Sequence, residues 1–126
     1  MPPLHRPNFA MALRRTTAAA LAIGLACSTV SAMSLRDMRA LVKDAKQGEN
    51  YANYYLVGAM EGALEAHNQA VRNGAKPHIC LRGRRLEPHN ARSLFDAELQ
   101  RNAGIYEADM PVQLVMTNAL STVYAC

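Results

Sequence analysis

The sequence predicts an all-α protein, a small bundle of about four helices stapled by one disulfide. Three observations carry that expectation. Apolar residues recur at three- and four-residue spacing through the second half of the chain, and no stretch alternates strongly at period two. Breakers at Gln47 to Asn50, from Asn73 to Leu86 and from Asn102 to Pro111 divide this helical pattern into four pieces. Setting aside the N-terminal stretch leaves two cysteines, Cys80 and Cys126, to close the fold.

The N-terminal stretch, residues 1–32, reads as a cleaved signal peptide. His5, Arg6, Arg14 and Arg15 precede a short apolar run from Ala18 to Ala26, and Val30-Ser31-Ala32 offers a small-x-small cleavage site. Met11 serves equally well as the start. The run is too short for a membrane span. Cys27 is a poor lipoprotein acceptor because Gly24 stands where an aliphatic residue is wanted, and Arg14-Arg15 lacks the apolar follow-up of a twin-arginine signal. Residues 33–126 then form the mature domain. They hold 11 Lys and Arg against 10 Asp and Glu, so the high isoelectric point comes largely from the leader and gives no support for nucleic-acid binding.

A domain of 94 residues buries roughly 60–65% of its unfolded surface and gains from a covalent staple. In an oxidising compartment a disulfide is the default for Cys80 and Cys126. Closing that 47-residue loop stabilises by roughly 4 kcal/mol on the chain-entropy model. Their spacing is unlike a Cys-x-x-Cys redox pair.

The first helix is expected from Leu35 to about Lys46, with Ser34 as cap, Asp37 completing an imperfect capping box, and Leu35, Met38, Leu41, Val42 and Ala45 on one stripe. Gln47 to Asn50 break it and cap a long second helix that ends at Asn73-Gly74, where glycine can turn left-handed. On that helix Tyr51, Tyr54, Tyr55, Gly58, Gly62, Ala66 and Ala70 share a stripe. Gly58 and Gly62, one turn apart, are expected to admit a neighbouring helix, since two interior glycines cost about 1 kcal/mol each and packing must offset that. A charged connection, Ala75 to Leu86, follows. The third helix starts around Pro88, carries Ala91, Leu94, Phe95, Glu98 and Leu99, and stops at Asn102 to Gly104. Asp109 is the expected cap of the fourth helix, opened by Met110-Pro111, with Val112, Val115, Ala119, Leu120 and Val123 as its apolar stripe. The disulfide ties the loop after the long helix to a C-terminal segment that would otherwise fray.

Candidate chemistry is sparse. No two of His67, His78 and His89 fall at metal-ligand helical spacing, and Met38, Met60, Met110 and Met116 sit mostly on apolar stripes, so no metal or other cofactor is expected. Glu61 and Glu65 lie one turn apart but read as a solvated face rather than an acid/base pair. No nucleophile stands in a recognisable motif, and the chain is not expected to be an enzyme. The sharpest local charge is Arg82-Gly83-Arg84-Arg85, a loop suited to contacting carboxylates on a partner protein.

Tyr55-Leu56-x-Gly58-x-x-x-Gly62, Lys76-Pro77-x-x-Cys80, the amphipathic helix around Leu94 to Leu99, Pro111 at the last helix, and Ala119-Leu120 before Tyr124-Ala125-Cys126 together form a pattern. It resembles the Tai family, the type VI amidase immunity proteins also described as Rap, or resistance-associated proteins. Ala125 departs from it, since members commonly carry proline before the final cysteine. The resemblance implies an all-helical, often dimeric periplasmic protein that binds a peptidoglycan amidase secreted by a neighbouring cell's type VI system and covers its active-site cleft. It carries over Gly58, Gly62, Cys80 and Cys126 as structural positions only. From loop position and charge, Arg82, Arg84, Arg85 and His89 are the expected partner contacts. The alternatives are an acid-stress periplasmic chaperone of the HdeA type, which keeping a cooperative fold near pH 3 would argue against, and an envelope protein-binding module with a non-toxin partner.

Overall fold

The structure, a computed structural model, describes residues 31–126, and Ala32–Cys126 form one compact unit. Nearly all of the leader expectation, including Cys27, therefore lies outside the described residues. Four helices follow in order: α1 (Leu35–Asp44), α2 (Gly48–Arg72), α3 (Asn90–Arg101) and α4 (Val112–Val123). Among the described residues the β geometry is confined to two isolated bridges, Ser34 with Pro111 and Ile79 with Ala125. No helix among them is long and apolar enough to cross a membrane.

α1 begins where its cap predicts. The Ser34 hydroxyl accepts from the Asp37 N–H at 3.1 Å, and the Asp37 carboxylate accepts from the Ser34 N–H at 3.2 Å, so the capping box is complete. The Ser34 hydroxyl also donates to the Asp37 carboxylate at 2.7 Å, and this bond first, then the one from the Ser34 N–H, holds the Asp37 carboxyl below its ordinary value. The helix stops at Asp44 rather than Lys46, and the break before α2 is only Ala45 to Gln47. Gly48, expected in the break, is instead the first residue of α2 and is buried. A Cβ there would lie 1.9 Å from the Leu41 carbonyl oxygen, so only glycine lets the two helices meet so closely.

α2 ends at Arg72 with Asn73 as its cap, and Gly74 takes the left-handed conformation with φ +95°. Its buried face is not the expected one. Ala52, Leu56, Ala59, Met60, Ala63 and His67 point inward, while Tyr51, Tyr54, Gly58, Gly62, Ala66 and Ala70 are exposed. Both faces have the right period, so period alone does not choose between them. Size does: Leu56 and Met60 supply bulk to the core and the alanines between them let α4 come close, whereas burying the tyrosines would also require partners for their hydroxyls. Tyr55, at the edge, places its hydroxyl where it accepts the Met33 N–H at 3.3 Å. Among the described residues Gly58 and Gly62 accordingly admit no neighbouring helix, and a Cβ on either would meet none of their atoms within 4 Å.

The centre of the molecule is α4. Val112, Val115, Met116, Ala119 and Leu120 are fully buried, packed against α2 and α3. Its cap is Pro111, not Asp109, which lies outside the helix and pairs with Arg36 at 2.9 Å. α4 is clamped at both ends. At its start, Met33 to Arg36 exchange backbone hydrogen bonds with Ala108, Met110 and Val112. At its end, the Cys80 N–H donates to the Tyr124 carbonyl at 2.7 Å, beside the Cys80–Cys126 disulfide with its Cα atoms 4.9 Å apart.

Candidate protein-contact surface

The outward face of α2 and the N-terminal end of α3 enclose a cleft of about 280 Å³ lined by Asn53, Tyr54, Val57, Pro88, His89 and Arg92. Pro88 and His89 form the turn that leads into α3, which begins at Asn90, two residues later than the sequence suggested. Arg92 makes the wall. Its Nε donates to Asp96 at 2.9 Å, one turn on, and its Nη1 donates to Glu49 at 2.6 Å and Asn53 at 3.1 Å on α2. One guanidinium thus joins two helices and fixes the width of the cleft between them. Tyr54, at its rim, is 77% exposed and Tyr51, one turn earlier, 55% exposed. With Gly58 and Gly62 beyond them, these residues leave a bare aromatic-and-backbone surface on a rigid helix. Tyrosine on such a surface suits protein contact, combining apolar area with a polar tip.

The four residues expected to contact a partner divide. His89 lines the cleft. Arg82 and Arg84 instead hold the C-terminal end: Arg82 donates to the Cys126 carbonyl oxygen at 2.8 Å, and the Arg84 guanidinium lies 4.5 Å over the Tyr124 ring while its Nε donates to the Leu81 carbonyl. Arg82 does so from a left-handed backbone, φ 51°, next to Gly83 at φ 77°. Both side chains remain exposed, so these contacts orient the two guanidinium groups at the corner where the disulfide brings the loop and the tail together. Arg85 is exposed on the same loop. Asn53, Val57 and Arg92 were not singled out from the sequence, although Arg92 and Asp96 at i, i+4 are a readable pair.

Two buried polar groups also stand out. Glu98, 2% exposed on α3, accepts at Oε1 from Asn102 and from the Tyr106 hydroxyl, both at 2.7 Å, and Asn118 on α4 donates to that hydroxyl at 2.9 Å. Arg101 supplies the countercharge at 3.4 Å from Oε2. Burial, then the bond to Glu98, pushes the Tyr106 phenol above its ordinary value. The network fastens the linker between α3 and α4. His67, 7% exposed, accepts at Nε2 from two successive backbone N–H groups, those of His78 at 3.1 Å and Ile79 at 3.2 Å. Both groups are sealed into the packing and secure loops. Among the described residues no three His, Cys, Asp or Glu side chains gather as a metal site requires.

Comparison with family models, curated proteins and solved structures finds no match to this chain.

Proposed function

We propose that this protein is an immunity protein of the periplasm, exported by its leader, which binds a peptidoglycan amidase delivered by a type VI secretion system and blocks it sterically. The observation that carries the reading is the exposed face of α2, Tyr51, Tyr54, Gly58 and Gly62, running beside the cleft at His89 and Arg92 on a framework closed by a disulfide. It joins the Gly-x-x-x-Gly, Lys-Pro-x-x-Cys and terminal cysteine pattern that resembles the Tai family. Steric inhibition calls for a surface that keeps its shape while excluding substrate, because preorganisation reduces the ordering cost of binding. A helix face backed by fully buried α4 residues meets that requirement. No chemistry is asked of the protein itself.

The same face has room for a second copy. Gly58 and Gly62 allow a facing helix to approach the α2 backbone, so a homodimer and an amidase complex would compete for, or divide, the one surface.

A protection assay tests the proposal. An amidase encoded beside this gene is directed to the periplasm of a sensitive cell with the wild-type protein, with Tyr54→Glu, or without either. Survival with wild type and lysis with a folded Tyr54→Glu variant is the expected result. Equal lysis with and without the wild-type protein, together with no amidase co-purifying from the native host, would discard the reading.

A further inference from the structure

His67 is the last inward-facing residue of α2, and its ring meets the loop that leads to Cys80. Two backbone N–H groups, of His78 and Ile79, converge on Nε2. A nitrogen that accepts two donors carries no proton, so the ring is the neutral tautomer with its proton on Nδ1. Nδ1 is itself buried and, among the described residues, makes no hydrogen bond. Ile79 bridges to Ala125, and Cys80 is bonded to Cys126 and to the Tyr124 carbonyl. One unprotonated nitrogen therefore seats the strand-like segment that receives the C-terminal tail.

We infer that His67 is a proton-sensitive latch: protonation of Nε2 releases residues 78–79 from α2 and loosens the corner where the Arg82–Arg85 loop and the C-terminal tail meet. A proton on Nε2 would face two N–H donors, so both bonds are lost and the charged ring finds no acceptor in their place. The surroundings offer no compensation. On α2 the residues one turn away, Ala63, Leu64, Ala70 and Val71, are uncharged. From the loop, the His78 ring meets His67 edge-on with centroids 4.5 Å apart, and the tail that bonds to this loop carries Tyr124 with Arg84 stacked on its ring. Among the described residues no carboxylate bonds to His67. The disulfide keeps the tail tethered when the latch opens, so the change is local. This inference stands apart from the immunity reading.

Amide hydrogen exchange on the oxidised protein tests it, read as protection factors between about pH 8 and pH 5, the window of imidazole titration. Protection at His78 and Ile79 is expected to fall about tenfold or more across that window, the consequence of losing two hydrogen bonds, while the α4 amides keep theirs. His67→Gln, whose amide oxygen accepts but does not titrate, should remove the pH dependence. His78→Gln should retain it. Unchanged protection in wild type, a fall that persists in His67→Gln, or one abolished by His78→Gln would each overturn the latch. Should His67→Gln fail to fold, the ring ¹⁵N signals of wild type decide. A bare Nε2 at the upper pH, protonated in step with the loss of the two amides, supports the latch; a protonated Nε2 at the upper pH, or protonation without loss, refutes it.

Discussion

Single residues give the most direct tests, and the glycines separate cleanly. Among the described residues an added methyl at Gly58 or Gly62 meets nothing within 4 Å, and neither glycine uses a left-handed backbone. Gly58→Ala and Gly62→Ala are therefore expected to raise stability by up to about 1 kcal/mol each, the helix-propensity gain, in urea unfolding of the monomer. Gly48→Ala has the opposite sign. Its methyl would lie 1.9 Å from the Leu41 carbonyl oxygen, and separating α1 from α2 should cost about 2 kcal/mol or more. Tyr106 gives a second residue-scale test. Tyr106→Phe strips Glu98 Oε1 of one donor and Asn118 of its acceptor, an expected loss of about 1–3 kcal/mol by the same unfolding measurement. Because the folded phenol is held above its ordinary value, the contribution of Tyr106 is fully present below that value and is lost as pH rises through the folded one. In a spectrophotometric titration of the tyrosines, one should ionise late, and in Tyr106→Phe that late step should vanish.

At the scale of elements, the buried faces of α1, α3 and α4 and several helix ends were legible, and the face of α2 was not. Ser34, Gly74 and the breaks around Asn102 act through local backbone chemistry, and each worked as local chemistry predicts. Asp109 and Pro88 misled by two residues each because a cap residue and a first-turn proline are also ordinary turn residues. The face of α2 depends on what the other helices bring. Both of its stripes have helical period, and the choice rests on Leu56 and Met60 sharing one buried cluster with Val115, Met116 and Ala119 of α4, which the sequence does not display. The candidate surface was legible in part for the same reason. His89 was named, but the cleft it lines needs Arg92 bound to Glu49, 43 positions earlier, and no local pattern announces that. An element-scale test uses this tie. Arg92→Ala should leave the helices in place, cost about 1–2 kcal/mol through loss of a partly exposed network, and widen the cleft. If the cleft is a contact surface, protection in the amidase assay should fall further for Arg92→Ala than for Arg85→Ala.

For the whole molecule, the question is what the disulfide adds to a tail that is already held. The Cys80 N–H bond to Tyr124, the Arg82 bond to the Cys126 carbonyl and the Arg84–Tyr124 contact hold the tail without involving either sulfur. Each is worth roughly 1 kcal/mol. Joining residues 46 positions apart restricts the unfolded chain by about 4 kcal/mol on the entropic model, a large share of the 5–15 kcal/mol typical of a whole domain. The larger effect thus acts on the unfolded state, while the weak contacts decide where the tail rests. Reduction, or a Cys80→Ser/Cys126→Ser double variant, should then leave the far-ultraviolet helix signal at 25 °C nearly unchanged while lowering Tm by more than about 10 °C. A protein that lost its helices on reduction at 25 °C would mean that the buried stripe of α4 cannot hold the bundle by itself. Unchanged Tm would mean that the tail is fastened by its polar contacts alone. The expected middle outcome makes the bond a margin of stability for a molecule whose core is one short helix, clamped at its start by Met33 to Arg36 and at its end by Cys80.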